Sequence, residues 1–320
     1  MKFLSIPQNG ASWSGPLIYS FHTESDEKQD VDIVIIDDDG VIARKRLYGV
    51  VQGEIDIAPI LRSVSDMRIL PSVQTSVRKS SSARKVTVQI MDTVSDPRVF
   101  CCFNIEIARS QMLSYMPVLS SIAYGEQIMF SLFAPKDVNI DIEVYAGASS
   151  SLKTITYKTD SLPIDVFINT SDFGKNCERI DIAISSQRVV FHRLCYVIGG
   201  GATSGRRIVW RNRSGGVESY LFPRCLRLMQ EAEVDCLQGL ERNYSILRGA
   251  KQQYRLCSAH EDEATIKQLA EIMLSPYVYE VCDGQLIDVE LCRRSVEYGT
   301  HGQLRTIALD ICGEWKGGER

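Results

Sequence analysis

Apolar and polar residues alternate with a period of two in short runs along the first two thirds of the chain. VDIVII (31–36), VTVQI (86–90), VNIDIEV (138–144), IDVFI (164–168) and RIDIAI (179–184) each place most apolar side chains on one side. That is the pattern of antiparallel strands with one face in a core and the other in water. Turn formers separate the runs: DDDG (37–40), SDP (95–97), GASSS (147–151) and IGGGATSG (198–205). Many short strands punctuated in this way predict sandwiches or barrels.

The same order of features occurs twice. VDIVII is followed by EIDIAPILRSVSD (54–66) and then by VTVQIMD; VNIDIEVY is followed by PIDVFINTSDFG (163–174) and then by RIDIAI. The Ile-Asp pairs at 55–56 and 164–165 are offset by 165 − 56 = 109 residues, the size of one small sandwich. We therefore expect two tandem antiparallel β-sandwich-like domains, residues 1–108 and 109–200. The segment up to Pro16, with Trp13 among small residues, reads either as a first strand or as an arm that orders on a neighbouring subunit.

Gly199, Gly200, Gly201 and Gly205 then mark a boundary to a smaller α+β unit, 201–320. As a phosphate loop this stretch lacks the lysine and hydroxyl that must follow its last glycine. RIVWRN (207–212) and VESYLF (217–222) flank Ser214-Gly215-Gly216 as a hairpin, and strand-like runs follow near 234–247 and 251–257. A helix comes next: Ser258 and Glu261 have capping-box spacing, and Ala264, Ile266, Leu269, Ala270 and Met273 form its apolar stripe. Ser275-Pro276 ends it. YVYEVC and LIDVEL flank Asp283-Gly284 as another hairpin, and LRTIALDI (304–311) adds a last strand.

Composition changes this picture little. The chain has 320 residues, 44% of them hydrophobic, and a net charge of −4, which provides no global attraction to nucleic acid or anionic lipid. The N-terminus is too short in apolar residues for a signal-peptide core, and no apolar run approaches the ~20 residues of a membrane helix. Ten cysteines without a CxxC pair read as reduced, buried thiols, and Cys101 and Cys102 should face opposite sides of a strand. Cys282 and Cys292 would approach each other across a hairpin.

Candidate chemistry is sparse. His22, His192, His260 and His301 lack the three-to-five-residue spacing of zinc ligands, and no nucleophile elbow is present. Asp37, Asp38 and Asp39 form the densest acidic cluster, read as a solvated turn rather than a calcium loop, whose spacing is missing. RKSSSARK (78–85) reads as a solvated loop, with a phosphate-tracking arm as its rival. RRIVWRNR (206–213) interleaves four arginines with Trp210; single-stranded nucleic-acid stacking competes there with a plain core strand. The core strand is favoured, so nucleic acid is disfavoured as a partner. No catalytic, cofactor-binding or metal-ligating residue is assigned, and no cofactor is expected.

Three segments carry a family resemblance. IVWRNRSGGVESYLF, the earlier GEIDIAPIL (53–61) and EIMLSPYVYEV near the C-terminus resemble segments of structural proteins, of tail or baseplate type, from tailed phages and prophages of Bacteroidetes-type bacteria. The resemblance implies a β-rich, non-enzymatic component of a virion. Such a component assembles in the host cytoplasm through contacts with copies of itself and other virion proteins, without a membrane. A host-surface glycan is a further candidate ligand. The alternative reading is a glycan-binding or adhesive β-sandwich surface protein, which would need export.

Overall fold

The computed structural model describes all residues except 71, 73, 116, 200–204, 239–242, 283, 294–296 and 315–320, and within strands it leaves aside the side chains of 227, 228, 230–252, 313 and 314. The protein is mainly β, as the alternation predicts, with several antiparallel sheets.

The first sandwich packs Lys2–Ser5, Ile18–His22 and Gln52–Asp56 against a second sheet. That second sheet runs Gly40–Val50, Gln29–Asp37, Ala83–Ile90, Thr93–Val94, with Arg98–Cys101 also on Ala83–Ile90. Alternate residues of Gln29–Asp37, namely Val31, Ile33 and Ile35, are fully buried against Tyr19, Phe21 and Ile55. Period-two patterning thus becomes one filled inter-sheet space. The N-terminal segment belongs to this sandwich and is not a free arm. Trp13 is in its core, and the Gly10 and Trp13 N–H groups donate to the Val99 and Cys101 carbonyls.

The second sandwich repeats this plan. Gln29–Asp37 lies between its hairpin mate and Ala83–Ile90; Val138–Ala146, which starts 138 − 29 = 109 residues later, lies between Ser149–Tyr157 and Arg179–Ser186. In the facing sheets, Ile18–His22 pairs with Gln52–Asp56 as Gln127–Phe133 pairs with Ile164–Asn169. Each of these last strands runs into a helical turn, Ala58–Val64 with proline in its first turn or the 3-10 turn Thr170–Phe173 capped by Asn169. The repeated order in sequence is therefore a repeated topology.

One exchange breaks the tandem symmetry. Ser76–Lys79 leaves the first sandwich and pairs with Ile164–Asn169, completing the second sandwich's sheet. Small apolar clusters seal the contacts between units. Val99, Cys101, Leu113, Phe133 and Leu162 join the two sandwiches, while Ile69, Met129, Phe167, Val209, Val217 and Tyr279 join the second to the C-terminal unit.

The C-terminal unit is a single sheet in the order Val217–Phe222, Arg206–Arg211, Val278–Cys282, Gln285–Leu291, Leu304–Glu314, Asn243–Cys257, Arg224–Gln238, with Glu297–His301 also on Leu304–Glu314. Cys282 lies opposite Gln285, as a two-residue turn requires; Asp283 itself is outside the described residues, as are Gly200 and Gly201 of the boundary. The helix Glu263–Ala270 lays Ile266 and Leu269 onto this sheet. Its cap differs from the expected one. Asp262, not Ser258, accepts the Thr265 N–H at 2.7 Å. Ser258 is fully buried and accepts from Ile307 N at 3.0 Å, because the last strand claims the segment before the helix. The expected run 234–247 instead takes in the end of Arg224–Gln238 and the start of Asn243–Cys257, and 251–257 is the end of the latter. These two strands pair as a long ribbon from Arg224–Cys257 to Gln238–Asn243, with 239–242 outside the described residues. Leu304–Glu314 flanks only Lys251–Cys257 of it.

Candidate functional site: a buried polar junction

The densest polar constellation among the described residues is the hairpin loop 211–218, and it lies where all three units meet. The loop first closes on itself: the Asn212 N–H donates to Gly216 O, the Gly215 N–H to Asn212 O and the Gly216 N–H to Asn212 Oδ1, each at 2.9 Å. Gly215 has φ of +74°, which a residue with a side chain rarely adopts. The glycines are also required by space. A Cβ on Gly216 would come 2.1 Å from Leu113 O, and one on Gly215 2.5 Å from Ser82 Cβ and 2.6 Å from Cys102 Sγ. The loop tip is therefore inserted directly against backbone and side chains of both sandwiches.

Arg211 forms the centre. It is 1% exposed, and its guanidinium reaches Asp165 Oδ2 at 3.0 Å, Met67 O at 2.9 Å, Ser80 Oγ at 3.1 Å and Gly215 O at 2.6 Å. Asp165 also accepts from Ser131 Oγ at 2.6 Å, and Ser131 Oγ accepts from Val217 N at 2.8 Å. Around this core Asn212 Nδ2 donates to Leu113 O at 2.7 Å and to Glu218 Oε1 at 2.8 Å, and Glu218 Oε1 accepts Tyr115 N at 2.5 Å. Four strands and three connecting segments, those of Met67, Ser80 and Gly215, thus converge on one charge pair whose hydrogen-bonding positions are filled. A buried pair satisfied in this way fixes relative orientation, and its groups are already committed.

The other three arginines of RRIVWRNR are matched as well. Arg206 donates to Glu280 at 2.5 Å, Arg207 to Glu126 at 3.0 Å and Arg213 to Glu271 at 2.9 Å. Arg206 also lies over the Tyr254 ring, 4.3 Å from its centroid, and Tyr254 donates to Glu280. Trp210 and Ile208 are both fully buried. Core strand and internal pairing, rather than a basic stacking surface, describe this segment.

RKSSSARK requires correction too. It is no solvated loop: Ser80 and Ser82 are buried beside Arg211, and the flanking residues lie in strands. Lys79 pairs with Asp160 at 2.9 Å and Asp38 at 3.4 Å, and Arg84 pairs with Asp37. The acidic turn is consequently half structural, with Asp37 nearly buried on Arg84 and Asp39 89% exposed. No group of three or more His, Cys, Asp or Glu residues with metal-binding geometry occurs among the described residues.

The histidines are scattered. His22 accepts the Glu24 N–H at 3.0 Å, His192 is half-buried and its basicity is lowered by that burial, and His260 and His301 pack ring to ring at 5.4 Å. Burial pushes the Cys101 thiol well up and the Cys102 thiol up to about 11, so neither is a nucleophile near neutral pH. The expected approach of Cys282 to Cys292 is not made. Cys292 instead forms a disulfide with Cys312, whose strand lies alongside, and the uniformly reduced reading fails at this pair. A cavity of about 20 Å³, room for one water, lies beside the junction between Arg207, Glu218, Tyr196 and Ser114. Burial holds the Tyr196 hydroxyl above the ordinary phenol range.

The fold and junction define a mainly β, multi-sandwich protein whose units are tied at one buried polar centre. No protein-family model and no curated protein matches the chain. Among solved structures it is similar to the calcium-binding domain CBD12 of CALX1.1, at 8% identity over 53% of this chain and 72% of that one with a TM-score of 0.17. It is also similar to CBD12 from CALX1.2, at 6% identity over 53% and 73% with a TM-score of 0.16. Overlaps this small define neither a shared ligand nor a shared topology.

Proposed function

We propose that the chain is a non-catalytic structural component of a phage-type particle, in its tail or baseplate. It works through contacts with copies of itself and with other particle proteins. One observation supports the reading: the three segments that resemble phage structural proteins supply core or junction positions of the fold. IVWRNRSGGVESYLF supplies the loop at the junction. EIMLSPYVYEV supplies Ser275, which accepts the Arg211 N–H at 3.2 Å, and Tyr279, which accepts the Ile69 N–H at 3.3 Å. GEIDIAPIL supplies Ile55, Ile57 and Leu61 to the first core, while Asp56 accepts the Leu17 and Ala58 N–H groups. Segments given over to core and junction suit a part whose task is to hold a shape, and sheets with free edges supply docking surfaces.

Sedimentation of the purified chain from micromolar to near-millimolar concentration tests this. Concentration-dependent assembly into a defined oligomer is expected. A strict monomer that turns over, or binds, members of a polysaccharide panel would overturn the proposal in favour of an enzyme or a glycan-binding surface protein.

A further inference from the structure

The ribbon Arg224–Gln238 with Asn243–Cys257 runs past its support. Among the described residues the neighbouring strand Leu304–Glu314 pairs with it only from Lys251 to Cys257, so from Ala232–Ala250 to Gln238–Asn243 the described residues form a two-stranded ribbon. At ~3.3 Å per residue the outer segment 231–238 spans about 26 Å. A two-stranded ribbon is marginal in water without a third strand or a packed face. No described strand pairs with the outer edge of Arg224–Gln238. Its sequence between 228 and 238 carries Glu231, Glu233 and Asp235 and no Lys or Arg.

A complementary edge exists on the same molecule. Gly40–Val50 is the outer strand of its sheet, and between two bulges its register is unbroken from Ala43 to Leu47. That stretch exposes Arg44, Lys45 and Arg46, and the strand has no acidic residue. Arg46 is held by Asp32 at 2.5 Å, whereas Arg44 and Lys45 have no ion-pair partner among the described residues. Exposed Val41 and Tyr48, the latter 73% exposed, flank the cations and offer apolar contact. The other long free edge, Ser149–Tyr157, carries only Lys153 among serines and threonines and lacks this charge match. Ribbon and basic edge belong to different sheets and do not pair within one chain.

Resting on the assembly reading above, we propose that the acidic ribbon of one copy adds as a strand to the 43–47 edge of a second copy. The contact joins two different surfaces, so it is head-to-tail. It leaves a free ribbon at one end and a free edge at the other until a ring closes or a filament grows. Main-chain hydrogen bonds supply the affinity, and the opposed charges set register and partner.

Charge exchange tests it. An edge variant carries Arg44→Glu and Lys45→Glu; a ribbon variant carries Glu231→Lys, Glu233→Lys and Asp235→Lys. In low salt each alone loses association by at least about tenfold, while the wild type associates and is weakened by salt. An equimolar mixture regains association, because each variant's ribbon then meets the other's edge with opposite charge. Lys153→Glu leaves association unchanged. Unaltered thermal midpoints establish folding; should the ribbon variant unfold, a version with residues 232–250 replaced by Asn-Gly must also lose association. Wild-type assembly that survives both variants, or a mixture that stays dissociated, overturns this interface and leaves the assembly reading standing. A wild type monomeric throughout overturns both.

Discussion

Replacing Arg211 by alanine removes the one cation that, among the described residues, pairs with the nearly buried Asp165 carboxylate. Asp165 is 5% exposed and would retain the Ser131 hydroxyl as its remaining side-chain donor. The Met67, Ser80 and Gly215 oxygens would lose their shared donor as well. Breaking a buried pair from one side costs about 3–5 kcal/mol, because the surviving charge remains without compensation. The cost should be spread unevenly along the chain. Trp13 reports on the first sandwich core and Trp210 on the C-terminal one. In the wild type, urea unfolding followed in variants that keep one or the other tryptophan should give coincident transitions, the mark of one cooperative unit. In the Arg211→Ala background the two should separate. The double change Arg211→Met with Asp165→Leu should recover most of the lost stability, since a buried pair replaced by apolar residues of similar volume is often neutral. A loss below about 1 kcal/mol for Arg211→Ala, with coincident transitions, would refute the idea that this pair ties the units together.

Further outcomes follow from the same geometry. Gly216→Ala should destabilise by about 1–3 kcal/mol or more in a thermal melt, since its methyl would meet Leu113 O at 2.1 Å and no side chain is there to move aside. Cys292→Ser should cost about 2–4 kcal/mol in non-reducing denaturation and nothing extra under dithiothreitol, because the Cys292–Cys312 bond closes a loop with a sequence separation of 20. Alkaline titration followed at 295 nm should show several tyrosines resisting ionisation. Burial raises Tyr19 to about 12 and raises Tyr254 further, with the Glu280 carboxylate adding to it. Above pH ~10 the unfolded chain releases phenol protons that the folded chain keeps, so stability should fall as pH rises from there. A flat stability profile between pH 9 and 11 would contradict the burial.

Alternation made the sandwiches legible. Val31, Ile33 and Ile35, and equally Ile140, Ile142 and Val144, are buried as their period predicts, and the 109-residue offset is a shared topology. Local chemistry placed the hairpin with Gly215 and Gly216 and the helix with Ile266 and Leu269. The missed features are those set by distant partners. Nothing near Ser76–Lys79 says that it joins the second sandwich, and nothing near RKSSSARK says that Arg211, 211 − 80 = 131 residues on from Ser80, draws its serines inside. The arginine-rich strand is the core strand its pattern favoured, but pattern reading cannot see Asp165, Glu126 and Glu280 arriving from elsewhere in the chain to match its cations. A strand neighbour took Ser258 from the helix cap, and another brought Cys312 to Cys292 without any CxxC spacing. The Ala58–Val64 helix did leave a trace, proline in its first turn, inside a run that otherwise reads as strand.

As the proposed building part of a particle, the chain should travel with particles. The most direct measurement purifies phage-type particles released by cells that encode the chain, separates them on a density gradient, and counts the chain per particle by quantitative mass spectrometry. The account expects a fixed multiple of copies that stays with intact particles through salt washes. Recovery of the chain only in particle-free fractions, at full abundance, would contradict it.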